Sequence, residues 1–155
     1  MSFTTSAGTT IAISAAAPAT YNKAGYEALT YTAIGEVTDL GDIPDRLYEL
    51  VTHQPIATRG MQKAKGGYNL GSQTIVYALD PNDAGQTLVN AAVNSDAAYS
   101  VRIAHPTLGT IYARALIMGG PKNYGTVSSV AGKSVTLEYS APSATEDGIV
   151  LVPTP

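Results

Sequence analysis

Between residues 72 and 139 the apolar spacing switches from two to helical and back to two. That order restricts the chain to folds that set one helix among paired strands. Residues 72–79 alternate, with Gln73, Ile75, Tyr77 and Leu79 on one face and Ser72, Thr74, Val76 and Ala78 on the other. Asp80-Pro81-Asn82-Asp83 then predicts a helix start. Asp80 serves as N-cap, Pro81 takes the first helical position, and Asp83 opposes the positive end of the dipole. Ala84, Leu88, Ala91 and Ala92 form the expected apolar stripe, with Val89 beside it. After Ser95-Asp96, Tyr99, Val101 and Ile103 alternate with Ser100 and Arg102. Residues 106–109 turn the chain, 110–118 run back, and 134–140 repeat the alternation through Val135, Leu137 and Tyr139. The expected fold is mainly β: an antiparallel sandwich or barrel with one flanking α-helix.

The rest of the chain fits around this segment. Residues 7–13 read as a first strand, 15–25 as a loop, and 31–40 as one second strand. After a turn at 41–45, residues 46–53 resume extended structure. Residues 58–71 hold four glycines and three cations with no apolar period of either kind, and so read as a long loop. A second irregular loop covers 119–132, and Ile149-Val150-Leu151-Val152 could add an edge strand. A chain of 155 residues is read as a single domain, with a flexible arm at 1–6 and a C-terminal extension at 141–155.

Composition narrows the function. The net charge is −3 and charged residues make up 14%, which does not provide the basic groove that tight nucleic-acid binding requires. There is no cysteine, hence no disulfide or thiolate metal site. No signal peptide is expected, and no apolar run approaches the ~20 residues that span a bilayer. The expected site of synthesis and assembly is a cytoplasm. Ten tyrosines, one phenylalanine and no tryptophan suit a contact-rich surface, and equally a plain sandwich whose tyrosines rim its own core.

No catalytic constellation is present. His53 and His105 each stand close before a proline, with no second ligand at metal spacing. There is no nucleophile elbow, phosphate loop or dinucleotide fingerprint. No metal or cofactor is expected, and the chain is not read as an enzyme. One charge pattern stands out: Glu36, Asp39, Asp42, Asp45 and Glu49 place five of the twelve acids in one short stretch, and Arg59, Lys63 and Lys65 follow. Either these are solvated segments, or an acidic surface meets a basic loop on a neighbouring copy. In the second case Arg59, Met61, Lys63, Lys65 and Tyr68 form the inter-subunit assembly loop, kept apart from its own acids by the intervening strand.

The order of several short segments resembles a known family. Ile34-Gly35-Glu36-Val37-Thr38, Tyr48-Glu49-Leu50-Val51-Thr52, Gly67-Tyr68-Asn69-Leu70-Gly71 and the run from Tyr77 through Asp80-Pro81 to Gln86 are similar to the major tail tube proteins of long, non-contractile phage tails. Ala7-Gly8-Thr9-Thr10 before a strand resembles the lambda-like members. The likeness covers roughly residues 7–140. It departs at Asn69, which stands in an acid's usual place, and at Leu50. The resemblance implies a structural virion protein that assembles into stacked hexameric rings, a tube that conducts the genome and surrounds the tape measure protein. It also implies tail terminator and distal tail partners, passage of double-stranded DNA without tight binding, no membrane, and assembly in a bacterial host. Thr74, Ser100, Arg102, Thr136 and Glu138, with Arg114, Glu36 and Thr38, are the polar positions available for a channel wall. The competing class is a monomeric ligand-binding β-sandwich, an adhesion or carbohydrate-binding module.

Overall fold

The computed structural model describes residues 3–143, 145–146 and 148–153. It is mainly β, a curled antiparallel sheet with a helix packed into the curl. In chain order the elements are β1 (Thr10–Ser14), α1 (Lys23–Glu27), β2 (Thr32–Ala33), β3 (Val37–Asp39), β4 (Leu47–His53), β5 (Gln62–Asn69) and β6 (Ser72–Ala78). They continue with α2 (Ala84–Val93), β7 (Tyr99–His105), β8 (Gly109–Gly119), β9 (Lys122–Asn123), β10 (Gly132–Tyr139) and β11 (Ile149–Val152). The main sheet runs β2-β1-β7-β8-β10-β6-β3, with β11 sharing the β8 edge and β9 beside β10. Strands β4 and β5 form a separate two-stranded sheet.

Alternation sets the core. On β6 the odd positions Gln73, Ile75 and Tyr77 are buried, as are Val135, Leu137 and Tyr139 on its partner β10. Ile11, Ile13, Val101, Ile103, Ala115 and Ile117 continue the same face. One polar pair enters this core: the Tyr139 hydroxyl donates to Gln73 Oε1 at 2.5 Å, and Gln73 Nε2 donates to the Leu40 carbonyl at 2.8 Å. Burial pushes the Tyr139 hydroxyl well above its ordinary range, so it stays a neutral donor.

The expected second strand over 31–40 is two strands. β2 lies at one edge of the sheet and β3 at the other, joined by only Ile34, Gly35 and Glu36. Glu36 adopts φ +60°, the left-handed region, which breaks the strand and lets the sheet's edges meet. The helix is tied to this crossing. Gly85 packs so closely that a Cβ there would lie 2.1 Å from the Ala33 carbonyl.

The helix also starts later than the Asp-Pro signal suggests. Its N-cap is Asp83, not Asp80: Asp83 Oδ2 accepts from the Gln86 N–H at 2.9 Å and from the Gly35 N–H at 3.1 Å. Asp80 instead closes a turn, accepting from Asn82 N–H. The buried face also differs from the expected stripe by one residue, about 100° around the helix. Gly85, Gln86, Val89 and Ala92 are buried, Leu88 is half-buried, and Ala84 and Ala91 are exposed. The expected stripe through Leu88 is therefore corrected to one through Val89.

Candidate functional site

Residues 58–71 are not a loop. Residues 62–69 are strand β5, which pairs antiparallel with β4 from Leu47↔Asn69 to His53↔Gln62, with a bulge between Tyr48 and Leu50. Of the expected assembly residues, Arg59 and Met61 lie in the tip, while Lys63, Lys65 and Tyr68 lie on β5. The hairpin leaves the body between Arg46 and Leu70. Every β4 residue is exposed, and so is every β5 residue except half-buried Gly66. Its apolar side chains are in water: Leu47 is 76% exposed, Leu50 67%, and Ile56 fully so.

Register places Leu50 opposite Lys65 and Thr52 opposite Lys63, which gives the hairpin one basic face. Lys65 Nζ sits 5.1 Å from the Tyr48 ring centre, and Tyr48 meets Tyr68 edge-on at 5.4 Å. Among the described residues, Arg59, Lys63 and Lys65 have no ion-pair partner. Glu49 belongs to this hairpin, the single β4 residue opposite the Gly66-Gly67 bulge of β5, and so stands apart from the other four acids. The remaining acids, Glu36, Asp39, Asp42 and Asp45, are all exposed and form a strip along β3 and the segment after it. Strand β4 lies between the two groups along the chain, and the acidic strip leads into it at Arg46.

The expected channel wall divides. Thr74, its cross-strand partner Thr136, and Glu138 two residues on share one outer face with Ser100, Arg114 and Arg102. Over β6 and β10 that face is open, with Thr74 exposed and Thr136 and Glu138 half-buried. Over β7 and β8 it is covered by residues 15–31, including α1, whose first half falls where the sequence predicts a loop over 15–25. Ser100 is fully buried and donates to the Ala16 carbonyl at 2.9 Å. Arg114 donates to Ser100 Oγ at 2.8 Å and to the Ala98 carbonyl at 2.8 Å. Arg102 lies under Tyr31, 4.8 Å from its ring centre. Ser100 and Arg102 therefore fasten the covering segment and are withdrawn from a solvent-facing wall. The same cover stacks Tyr26 on Tyr112 at 5.5 Å, and burial pushes the Tyr26 hydroxyl up to about 12.

At the end of the barrel where the hairpin emerges, an apolar groove opens under residues 4–6. It has a volume of about 440 Å³, with Leu40, Ile43, Ile103, Leu108 and Ile111 among its lining, and adjoins a cavity of about 230 Å³ that reaches Asp39. His105 pins the arm above it. Its Nδ1 accepts from the Thr107 and Leu108 N–H groups at 3.1 and 3.0 Å, leaving Nε2 to donate to the Thr5 carbonyl at 2.8 Å. His53 is exposed at the end of β4. Among the described residues, no group of three or more His, Asp or Glu side chains could hold a metal ion.

The apolar hairpin was missed because its strands have solvent on both faces. Val51 and Leu50 are adjacent rather than alternating, and Gly66-Gly67 hides the period of β5. The available signal was the extended 46–53 stretch, which needed a pairing partner close by.

No known family matches the sequence, and no curated protein matches it. Among solved structures, a chain in the cryo-electron microscopy structure of the anti-feeding prophage baseplate, 6-fold symmetrised, is similar in fold. The TM-score is 0.64 at 12% identity, over 90% of this chain and 93% of that one. What the two chains share is thus a whole fold, the curled antiparallel sheet with its flanking helix.

Proposed function

We propose that the chain is a structural subunit of a phage tail or tail-like particle, non-enzymatic, which assembles with copies of itself into stacked hexameric rings forming a tube. The observation that carries this reading is the hairpin: a pair of strands, apolar and basic, that the other described residues leave exposed on both faces. A lone two-stranded hairpin is marginal in water, so burial against a partner is the natural source of its stability. The fold shared with a chain of a phage tail-like baseplate, and the resemblance of the short sequence segments to tail tube proteins, support a partner of the same kind. In such a tube the open face over β6 and β10, with Thr74, Thr136 and Glu138, suits a wall past which duplex DNA slides without sticking. The tape measure protein would occupy the same channel before the genome. Tail terminator and distal tail proteins would cap the ends, and the finished virion would carry the tube.

Negative-stain microscopy and sedimentation velocity of the purified chain test this reading. Rings or tubes that grow with concentration are expected. A chain that stays monomeric up to the highest soluble concentration would overturn it.

A further inference from the structure

The hairpin 46–69 carries Arg46, Arg59, Lys63 and Lys65 against Glu49, a net +3. The whole chain is −3, so the remainder carries −6. Four of those negative charges, Glu36, Asp39, Asp42 and Asp45, stand within residues 36–45, which contain no cation. This acidic strip borders the apolar groove: Asp39 lines the smaller cavity, and Asp42 lies between Gly41 and Ile43, both of which line the larger one. The groove therefore has an apolar floor and an acidic rim, and the hairpin has apolar side chains beside basic ones.

We propose that the hairpin of one copy docks into the groove between the N-terminal arm and the acidic strip of a second copy, its Leu50, Lys63 and Lys65 face against the acidic rim. This rests on the self-assembly reading and names the two surfaces that meet. The occupant is a second copy because the hairpin of the same chain stands clear of the body. Strands of seven and eight residues reach about 20 Å beyond their stem, far enough to cross to a neighbour. The two surfaces are unlike, so the contact is heterologous: each copy offers a hairpin and a groove, and the contact propagates instead of closing as a two-fold dimer. Residues 4–6 are held over the groove by exposed contacts, His105 to the Thr5 carbonyl and Thr4 to Thr107, so the arm can shift to admit the incoming strand pair.

Charge exchange in the full-length chain tests the pairing. Lys63→Glu with Lys65→Glu, and separately Asp42→Lys with Asp45→Lys, alter exposed positions only, and unchanged melting temperatures verify that both variants are folded. Each pair alone is expected to raise the concentration needed for assembly at low salt by about tenfold or more. All four substitutions in one chain are expected to return it to near the wild-type value. Leu108→Glu, at a largely exposed position on the groove, is expected to block assembly without altering the fold. Assembly unaffected by either charge pair, or not restored by the combination, would overturn the docking proposal while leaving self-assembly intact. A wild-type chain that never assembles would overturn both.

Discussion

Gln86 is the residue whose loss should reveal how the two edges of the curled sheet are held to the helix. Its Nε2 donates to the Gly35 carbonyl at 3.1 Å and to the Ala78 carbonyl at 2.8 Å, and its Oε1 accepts from the Asp80 N–H at 2.9 Å. One buried side chain thus joins the helix, the end of β6 and the crossing between β2 and β3. Gln86→Met keeps nearly the same length and volume, so the cavity contribution is small. It leaves three backbone groups without their partners, each worth about 1 kcal/mol at such half-buried positions, the low end of the range for stranded polar groups. The expected loss is about 3 kcal/mol, or roughly 6–12 °C in melting temperature for a domain of this size. Urea denaturation followed by circular dichroism measures it, and an unchanged m-value would show that the denatured state is not responsible. A loss under about 0.5 kcal/mol would refute the argument, because the crossing would then be held by packing alone.

Other outcomes follow from the same geometry. Val89→Ala is expected to cost about 2–3 kcal/mol and Leu88→Ala about 1 kcal/mol, since only Val89 is fully buried; calorimetry giving the reverse order would restore the Leu88 stripe. Burial raises the Tyr26 hydroxyl from 10.0 to about 12, so its neutral form is favoured in the fold. That contribution is complete below about pH 10 and disappears as pH rises through 12, so the melting temperature should be level from pH 7 to 9 and then fall. A Tyr26→Phe chain with an equally steep fall would assign the effect elsewhere. Replacing residues 47–69 by a short Gly-Ser turn is expected to leave a cooperatively melting body that no longer assembles; loss of the melting transition would make the hairpin part of the core. Duplex DNA should bind only weakly at physiological salt, and submicromolar affinity by fluorescence anisotropy would contradict the neutral-to-acidic wall.

The core was legible wherever one face of a strand is buried and the other is not, because burial then writes a period of two into the residues. Ile75, Tyr77, Val135, Leu137 and Val101 are of this kind. Besides the hairpin, three features of the body were not legible, each for its own reason. The helix start is ambiguous in sequence because Asp80 and Asp83 are both competent caps, and the fold selects Asp83 through its second bond, to Gly35, forty-eight residues away. The break at Glu36 depends on a backbone conformation that glutamate rarely adopts and that only the crossing from β2 to β3 requires. Ser100 and Arg102 looked solvent-facing because their strand alternates cleanly. Their cover comes from residues 15–31, where α1 is too short to show a helical period. On the candidate site, charge was readable and shape was not: the cations and acids were found, but the groove between them exists only once Leu40, Ile43, Ile103 and Ile111 are brought together.

The hairpin interrupts the chain between β3 and β6, two strands that are hydrogen-bonded neighbours in the sheet. Everything from residue 40 to residue 71 is therefore an excursion that departs from and returns to the same edge. The entropic cost of such an excursion grows only with the logarithm of its length, about 0.6 kcal/mol for each doubling. Within it, the length and composition of residues 46–69 can change almost without consequence for the folding of the body, provided the stems stay where Leu40, Ile43 and Leu70 hold them against the core. The result is a division of labour along one polypeptide: a body whose residues answer to one another, and an arm that answers only to whatever it meets. Insertions, deletions and altered charge should accumulate in the arm as partners change, and a peptide tag placed at its tip should be carried on an intact fold.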